Sequence, residues 1–317
     1  MKQREKKDKI FQERMAKKTD ELRWLYMELY GNDSMFFELC DQLHRFYEER
    51  TVTLKALDQK READPGWYKK NDMLGMMFYI DNFAGNMKGV ESKLDYLEKN
   101  NVNYIHLMPF LDTPKGKSDG GYAVADYRKV QENLGTMEEL AELSEKCHEQ
   151  GISICMDFVM NHTSSKHEWF TAACQYLQSL GEGEEPDESV CPYVGYYNFT
   201  KESKGNYYQV PGTDWYYEGQ FWSEMPDLNL SNEAVRQEFS EIVRFWLGMG
   251  VDGFRLDAVK EYVTGNNSAN VEVLTWFTDM VKAQKDDAYL VGEAWSDYNT
   301  YAQYYGSGMD SLFDFAF

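Results

Sequence analysis

The sequence predicts an α/β fold, a (β/α)8 TIM-type barrel truncated after about strand six. From residue 73 onward, short apolar runs alternate with longer amphipathic runs, which is typical of a parallel sheet with helices packed outside it. Two acidic residues, Asp257 and Glu293, each end one of the apolar runs. In a parallel sheet both side chains emerge at the same rim, where barrels of this type carry their functional groups.

Residues 1–65 are predicted to form a helical N-terminal extension. Up to residue 62 the chain has no proline and a single glycine, Gly31, while apolar residues recur at three- and four-residue steps. We expect two or three helices here. The turn-rich run ADPGW, residues 63–67, predicts the linker to a second domain of residues 66–317.

In that second domain the apolar runs predict six strands at residues 76–80, 104–108, 152–157, 253–257, 289–292 and 311–315. The amphipathic runs predict helices at residues 88–100, 137–150, 233–249 and 271–284. Between the third strand and its helix, residues 163–229 form a connection too long for an ordinary loop, so we expect an inserted domain or a lid.

Paired carboxylates at one rim are the minimal apparatus for cleaving a glycosidic bond. Arg255 stands two residues before Asp257 on the same strand face, where a fixed cation favours an ionised nucleophile. Glu293 follows an apolar run and precedes Trp295, surroundings that we expect to raise its pKa for a role as general acid.

Five motifs resemble those of the α-amylase superfamily, glycoside hydrolase family 13. FRLDAV at 254–259 and GEAW at 292–295 resemble its strand-four and strand-five motifs, and DFVMNH at 157–162 resembles its strand-three motif. MPDLN at 225–229 and SDGGYAVADY at 118–127 follow the same order. The resemblance implies Asp257 as nucleophile, Glu293 as acid/base and Arg255 as orienting cation, with Tyr122 and His162 as contacts to the sugar.

The chain resembles two branches of this family. Residues 54–169 look like amylosucrase, which implies that Asp119 shapes a closed glucosyl pocket. Residues from 190 onward look like a bacterial α-amylase or α-glucosidase, and by similarity Lys260 donates a hydrogen bond to the leaving sugar. A role as an ordinary surface group is the alternative for Lys260.

The sequence ends in what we count as strand six, so two strands of the barrel and the family's strand-seven His-Asp motif are not present. We therefore expect a truncated product or a partial gene model, and the two resemblances within one chain predict either a natural mosaic or a join of two genes. An unclosed sheet predicts weak catalysis and poor solubility for the polypeptide on its own.

Charge and cysteine content restrict which molecules the protein is expected to bind and where it is expected to be located. The formal net charge of −21 argues against nucleic acid or an anionic membrane, while a neutral oligo- or polysaccharide substrate is indifferent to it. The N-terminus has no apolar signal region, and the five cysteines lack zinc spacing, so reduced thiols and a cytoplasmic location are predicted. We expect no cofactor and no metal; Asn161 resembles a calcium ligand of the family, but an aspartate-rich calcium loop is absent.

Three functions remain open at this point. The first is a retaining hydrolase of α-1,4-glucans or maltooligosaccharides, and the second is an amylosucrase-like transglucosylase that uses sucrose. The third is a non-catalytic carbohydrate-binding chain of the same fold. Motif spacing does not decide whether water or a sugar is the acceptor.

Overall fold

A computed structural model describes residues 2–315, with side chains described from residue 9 onward. Met1, Ala316 and Phe317, the outer ends of the two predicted domains, lie outside the described residues. The chain divides into two compact units, Met1–Lys60 and Arg61–Phe317, so the division falls five residues before the predicted position 65. The reason is Arg61, whose guanidinium is buried against Asp252 and Asp287 of the second unit.

Helices make up the first unit, as the sequence predicts. They are α1 (Lys2–Tyr30), α2 (Asp33–Glu49) and the beginning of α3 (Val52–Glu62). Gly31 turns the chain between α1 and α2 with a φ of 57°, and the Asn32 side chain caps α2 by accepting a hydrogen bond from Met35 N. The buried Phe36 ring packs against Tyr26, which fixes α2 on α1.

The second unit begins with β1 (Gly75–Phe78), α4 (Ile80–Ala84), α5 (Met87–Glu91), α6 (Leu94–Lys99) and β2 (Tyr104–Leu107). The prediction of one helix over residues 88–100 is wrong, because that segment breaks between α5 and α6. Ser92 Oγ donates to Gly89 O, and Lys93 leaves the helical region with φ −106° and ψ 7°.

A hairpin follows, made of β3 (Leu111–Asp112) and β4 (Asp126–Val130), and then α7 (Met137–Glu149) and β5 (Ser153–Phe158). The α7 helix begins at a capping box in which Thr136 and Glu139 satisfy each other's backbone N–H groups. The connection after β5 contains α8 (Glu168–Ser179) and a small antiparallel sheet of β6 (Phe199–Thr200), β7 (Tyr207–Gln209) and β8 (Tyr216–Glu218).

The chain then returns to the strand and helix alternation with α9 (Glu233–Gly248), β9 (Gly253–Leu256), α10 (Asn267–Gln284), β10 (Tyr289–Gly292), α11 (Tyr298–Tyr301) and β11 (Ser311–Leu312). All six predicted strands of the parallel sheet are confirmed in type and place. Their order across the sheet is β1-β2-β5-β9-β10-β11, which is the order along the chain, and every pair is parallel.

Phenylalanine rings fill the space between the sheet and its helices. Phe158 on β5 meets Phe254 on β9, Phe239 on α9 and Phe277 on α10, with ring centroids 5.1 to 5.9 Å apart. This packing fixes neighbouring strands relative to each other, so the residues at the strand ends keep their places.

Two observations bear on the environment of the protein. Within residues 2–315, none of the helices combines the length and apolar character that crossing a membrane requires. All five cysteines are free thiols.

Candidate active site

Strand register places the two predicted catalytic carboxylates side by side. Gly292 of β10 pairs with Leu256 of β9, so the next residues, Glu293 and Asp257, leave the sheet at the same level. Backbone hydrogen bonds hold both there, since Asp257 N donates to Phe158 O at 3.2 Å and Glu293 N donates to Leu256 O at 2.9 Å. The expectation that both lie at one rim is met.

The guanidinium of Arg255 joins these carboxylates. Its Nη1 lies 2.7 Å from Asp257 Oδ1, and its Nη2 lies 2.9 Å from Glu293 Oε1. Arg255 is itself buried, so it is held in place and poorly screened by water. Both acids therefore share one cation.

A third carboxylate, Asp157, belongs to the same cluster, although no role was predicted for it from the sequence. It pairs with Arg255 in the strand register and lies 2.9 Å from Arg255 Nη1. His106 and Tyr122 also contact Asp157 Oδ2, at 3.2 and 3.4 Å. The available signal was the position of Asp157 at the end of an apolar strand, at the start of the DFVMNH motif. His106 carries no such signal.

Several groups act on the charge of Asp257. Burial raises the pKa of this carboxyl to about 7, Arg255 opposes that rise, and the negative charges of Asp157 and Glu293 add to it. The expectation that Arg255 holds Asp257 ionised as a nucleophile stays a prediction.

The surroundings of Glu293 differ from those predicted. The Trp295 side chain is 73% exposed, so it does not desolvate the carboxyl group. Glu293 instead pairs with Arg255 through Oε1, and its Oε2 accepts a hydrogen bond from Ala258 N at 3.2 Å. Ala258 adopts a φ of 46°, an unfavourable value for a residue with a side chain, and this turn directs its N–H toward Glu293.

The two predicted sugar contacts, Tyr122 and His162, lie together beside this cluster. His162 Nε2 donates to Tyr122 O at 3.2 Å, because a carbonyl oxygen can only accept. Burial lowers the pKa of His162 to about 4, so its imidazole is neutral and carries its proton on Nε2. The Tyr122 ring lies 5.9 Å from the Arg255 guanidinium, and the Phe221 ring lies 5.4 Å from His162.

Two other predicted site residues, Lys260 and Asp119, are accessible to solvent. Lys260 Nζ pairs with Glu261 at 3.5 Å and its side chain is partly exposed. Asp119 is exposed in the loop after β3, where its φ of 47° begins a left-handed run that continues through Gly120 and Gly121. Their proposed roles toward the substrate stay predictions.

Asn161, which resembles a calcium ligand, is buried beside His162. Its Nδ2 donates to Asp227 Oδ1 at 3.2 Å, and burial raises the pKa of Asp227 to about 8. Asn161 Oδ1 is buried without a hydrogen-bond partner among the described residues. In the part of the chain that the structure describes, no three His, Cys, Asp or Glu side chains are arranged to hold a metal ion. The expectation that the protein needs no metal stays a prediction.

Comparison with known proteins adds a family match. The model of the α-amylase catalytic domain matches residues 27–317. Alpha-amylase 3 of Dictyoglomus thermophilum is 37% identical over 259 residues, which are 78% of this chain and 48% of that protein. The trehalose synthase/amylase TreS of Mycolicibacterium smegmatis is 34% identical over 243 residues, 72% of this chain and 40% of that protein.

Among solved structures, Eubacterium rectale Amy13B superimposes with a TM-score of 0.74 at 45% sequence identity, and the match covers 78% of this chain and 49% of that one. The chain thus spans about half the length of the relatives it matches. None of these three proteins is described as an amylosucrase, so the resemblance of residues 54–169 to amylosucrase stays a prediction.

Proposed function

The chain belongs to the α-amylase family, and from this premise we propose that it cleaves α-glucosidic bonds of α-1,4-glucans or maltooligosaccharides with retention of anomeric configuration. The observation that carries the proposal is the pair Asp257 and Glu293 on the single guanidinium of Arg255. Retaining enzymes use two neighbouring carboxyl groups, and the contacts of 2.7 and 2.9 Å to one guanidinium keep Asp257 and Glu293 side by side.

In the first step Asp257 attacks the anomeric carbon. The bond to the glycosidic oxygen breaks, and that oxygen takes a proton from Glu293 as the sugar leaves. In the second step the Glu293 carboxylate removes a proton from the acceptor hydroxyl, whose oxygen bonds to the anomeric carbon and releases Asp257.

The reaction requires Asp257 in its ionised form and Glu293 in its protonated form. In the free protein burial raises the pKa of Asp257 to about 7, and the Arg255 guanidinium opposes this rise. Asp257 and Glu293 both contact Arg255, so this guanidinium is the charge that favours the ionised nucleophile.

The side chains around Asp257 and Glu293 recognise the sugar. Tyr122 offers an aromatic ring beside Arg255, a surface on which an apolar sugar face packs. His162, neutral because of its burial, has its Nε2–H engaged with Tyr122 O, so its main effect is to hold that loop. A neutral glucan also suits the net charge of −21, which repels anionic polymers.

The test is turnover by the purified protein on three substrates side by side: maltotetraose, isomaltose and sucrose. We expect maltotetraose to be cleaved, with the α-anomer appearing first by proton NMR, and Asp257→Asn to lose at least about a hundredfold in rate. Release of the β-anomer first would overturn retention. Faster use of sucrose with glucosyl transfer would favour the amylosucrase-like alternative. Binding of maltotetraose without turnover of any of the three substrates would favour a carbohydrate-binding chain.

A further inference from the structure

A histidine lies inside the parallel sheet at a position where an apolar side chain is expected. On β2 the residues Tyr104 and His106 are two positions apart, so their side chains leave the same face of the sheet. Tyr104 belongs on that face to a small core cluster with Cys155 and Val291. His106 lies one layer nearer the rim and is only 4% exposed. Branched apolar residues usually fill such interior layers, so a buried imidazole there needs a polar partner.

That partner is the carboxylate of Asp157. His106 Nε2 lies 3.2 Å from Asp157 Oδ2, and both side chains are almost fully buried. Because Asp157 is paired with Arg255 through Oδ1, its carboxylate accepts hydrogen bonds, so His106 Nε2 carries a proton and donates. The Tyr122 hydroxyl lies 3.4 Å from the same Oδ2 atom, which is a longer contact. His106 is therefore the closer of two donors that hold this oxygen.

We infer that His106 is a positioning residue of the candidate active site, which limits Asp157 to a single oxygen on Arg255. The guanidinium then keeps donors for Asp257 and Glu293. This inference rests on the proposed function and deepens it, because it assigns the residue that keeps the nucleophile and the acid/base on their shared cation. In this role His106 acts through Asp157 and does not touch the sugar.

The contacts of one nitrogen atom explain why this matters. Arg255 Nη1 donates to Asp157 Oδ1 at 2.9 Å and to Asp257 Oδ1 at 2.7 Å. A carboxylate with both oxygens available tends to bind a guanidinium through both of them. Without His106, Asp157 is expected to turn its second oxygen toward the guanidinium and compete with Asp257. A nucleophile displaced by about 1 Å loses about a hundredfold in rate.

The experiment uses three replacements of His106 that differ in where they place a donor. In glutamine the amide nitrogen lies about where the histidine Nε2 does, whereas in asparagine it takes the place of Nδ1, and leucine has no donor. His148→Leu is the matched control. His148 is also a buried histidine, and its Nε2 lies 2.7 Å from a carboxylate, that of Asp252, at the opposite end of the sheet.

Steady-state kinetics on maltotetraose give kcat and KM separately. We expect His106→Leu and His106→Asn to lower kcat about ten- to a hundredfold while KM stays within about threefold. His106→Gln should keep kcat within about threefold of the wild type. His148→Leu should match the wild type at a temperature where circular dichroism shows it folded. A kcat that His106→Gln does not restore, or an equal fall in His148→Leu, would overturn the inference.

Crystal structures of the variants separate failure of this inference from failure of the proposed function, because they need no turnover. In His106→Leu, Asp157 should place both oxygens on Arg255, and the distance from Arg255 Nη1 to Asp257 Oδ1 should exceed about 3.5 Å. In His106→Gln these contacts should stay as in the wild type. Unchanged contacts in His106→Leu would overturn the inference, whatever the assays give. The expected rearrangement in a protein that cleaves no maltotetraose would support the positioning role and remove only the proposed reaction.

Discussion

Arg255 contacts three carboxylates at once, those of Asp157, Asp257 and Glu293, at 2.7 to 2.9 Å. The sequence predicted the contact with Asp257, because two residues on one strand share a face. It could not predict the contact with Glu293, which comes from another strand, or the excess negative charge that results. The protonation of the site depends on the sum of all these charges in three dimensions. A linear sequence motif does not show that sum.

Neutralising Asp157 should move the pH profile of the free enzyme. Burial raises the pKa of Asp257 to about 7, and the charge of Asp157 adds to that rise. The nucleophile must be ionised, so kcat/KM should increase with pH around 7, and Asp157→Asn should shift this midpoint downward by about one unit. A kcat/KM profile on maltotetraose measures it.

The control for that profile is Asp214→Asn, which removes an exposed carboxylate in the inserted segment. It should leave the midpoint of the kcat/KM profile unchanged. A midpoint that Asp157→Asn leaves in place or moves upward would contradict the assignment of charges.

The raised pKa of Asp257 also makes the free energy of unfolding depend on pH. Its folded-state pKa of about 7 lies above the ordinary 3.8, so Asp257 favours folding most below pH 3.8, and that contribution is lost as the pH rises toward 7.

Glu293→Gln should discriminate between substrates by their leaving groups. A glucan needs a proton on its departing oxygen, so its turnover should fall by about 10² to 10⁴. Fluoride needs none, so the burst of fluoride from maltosyl fluoride should stay within about tenfold of the wild type. Stopped-flow fluoride release and glucan assays provide the two rates. Losses of the same size on both substrates would remove Glu293 from the acid role.

Strands of this chain were easier to predict than its helices. Each buried strand of the parallel sheet is a short apolar run bounded by polar residues. This pattern is visible in the sequence without knowledge of the tertiary structure. The segment 88–100 is helical by composition, yet it breaks at Ser92 and Lys93, where the Ser92 hydroxyl donates to Gly89 O and Lys93 leaves the helical region. Such a local side-chain hydrogen bond is not visible in periodicity.

The contacts of Arg61 could not be predicted either, since the sequence placed this residue in the N-terminal extension. Its guanidinium lies 2.6 Å from Asp252, 3.3 Å from Asp287 and 3.0 Å from Ser153 Oγ. The positions are far apart in the chain and meet at the amino ends of β5, β9 and β10, opposite the rim that carries Asp257 and Glu293. Only the pairing of these strands in the sheet brings them together.

Removal of Arg61 should destabilise the second unit strongly. Arg61→Ala removes a buried cation from Asp252 and Asp287, which keep His148 and Lys285 as partners at 2.7 and 2.8 Å, and it should cost about 3 kcal/mol in the free energy of unfolding. Urea unfolding followed by circular dichroism measures it. Arg128→Ala is the matched control, because Arg128 is exposed and lies 3.8 Å or more from its acidic partners, and its loss should cost about 1 kcal/mol or less. Equal costs for the two variants would show that the Arg61 cluster is not a buried ionic core.

For the whole molecule, charge is distributed unevenly between the two compact units. Residues 1–60 hold 13 basic and 12 acidic side chains and a net charge of +1, so residues 61–317, which contain the site, carry a net charge of −22. This distribution was readable from composition alone. The position of the candidate catalytic carboxylates within that field required the fold.

The last prediction concerns the salt dependence of substrate use. Between about 0.01 and 1 M NaCl the Debye length falls from about 30 to 3 Å, so long-range repulsion by the acidic unit is removed. A neutral maltooligosaccharide does not sense that field, and its kcat/KM should stay within about twofold. Carboxymethyl-amylose, the same glucan with negative charges, should be used poorly at low salt and at least about tenfold better at high salt. Circular dichroism at each salt concentration controls for changes in folding. A preference for the charged glucan at low salt would mean that the substrate approaches through a locally basic surface. The net charge of the protein would then not select neutral substrates.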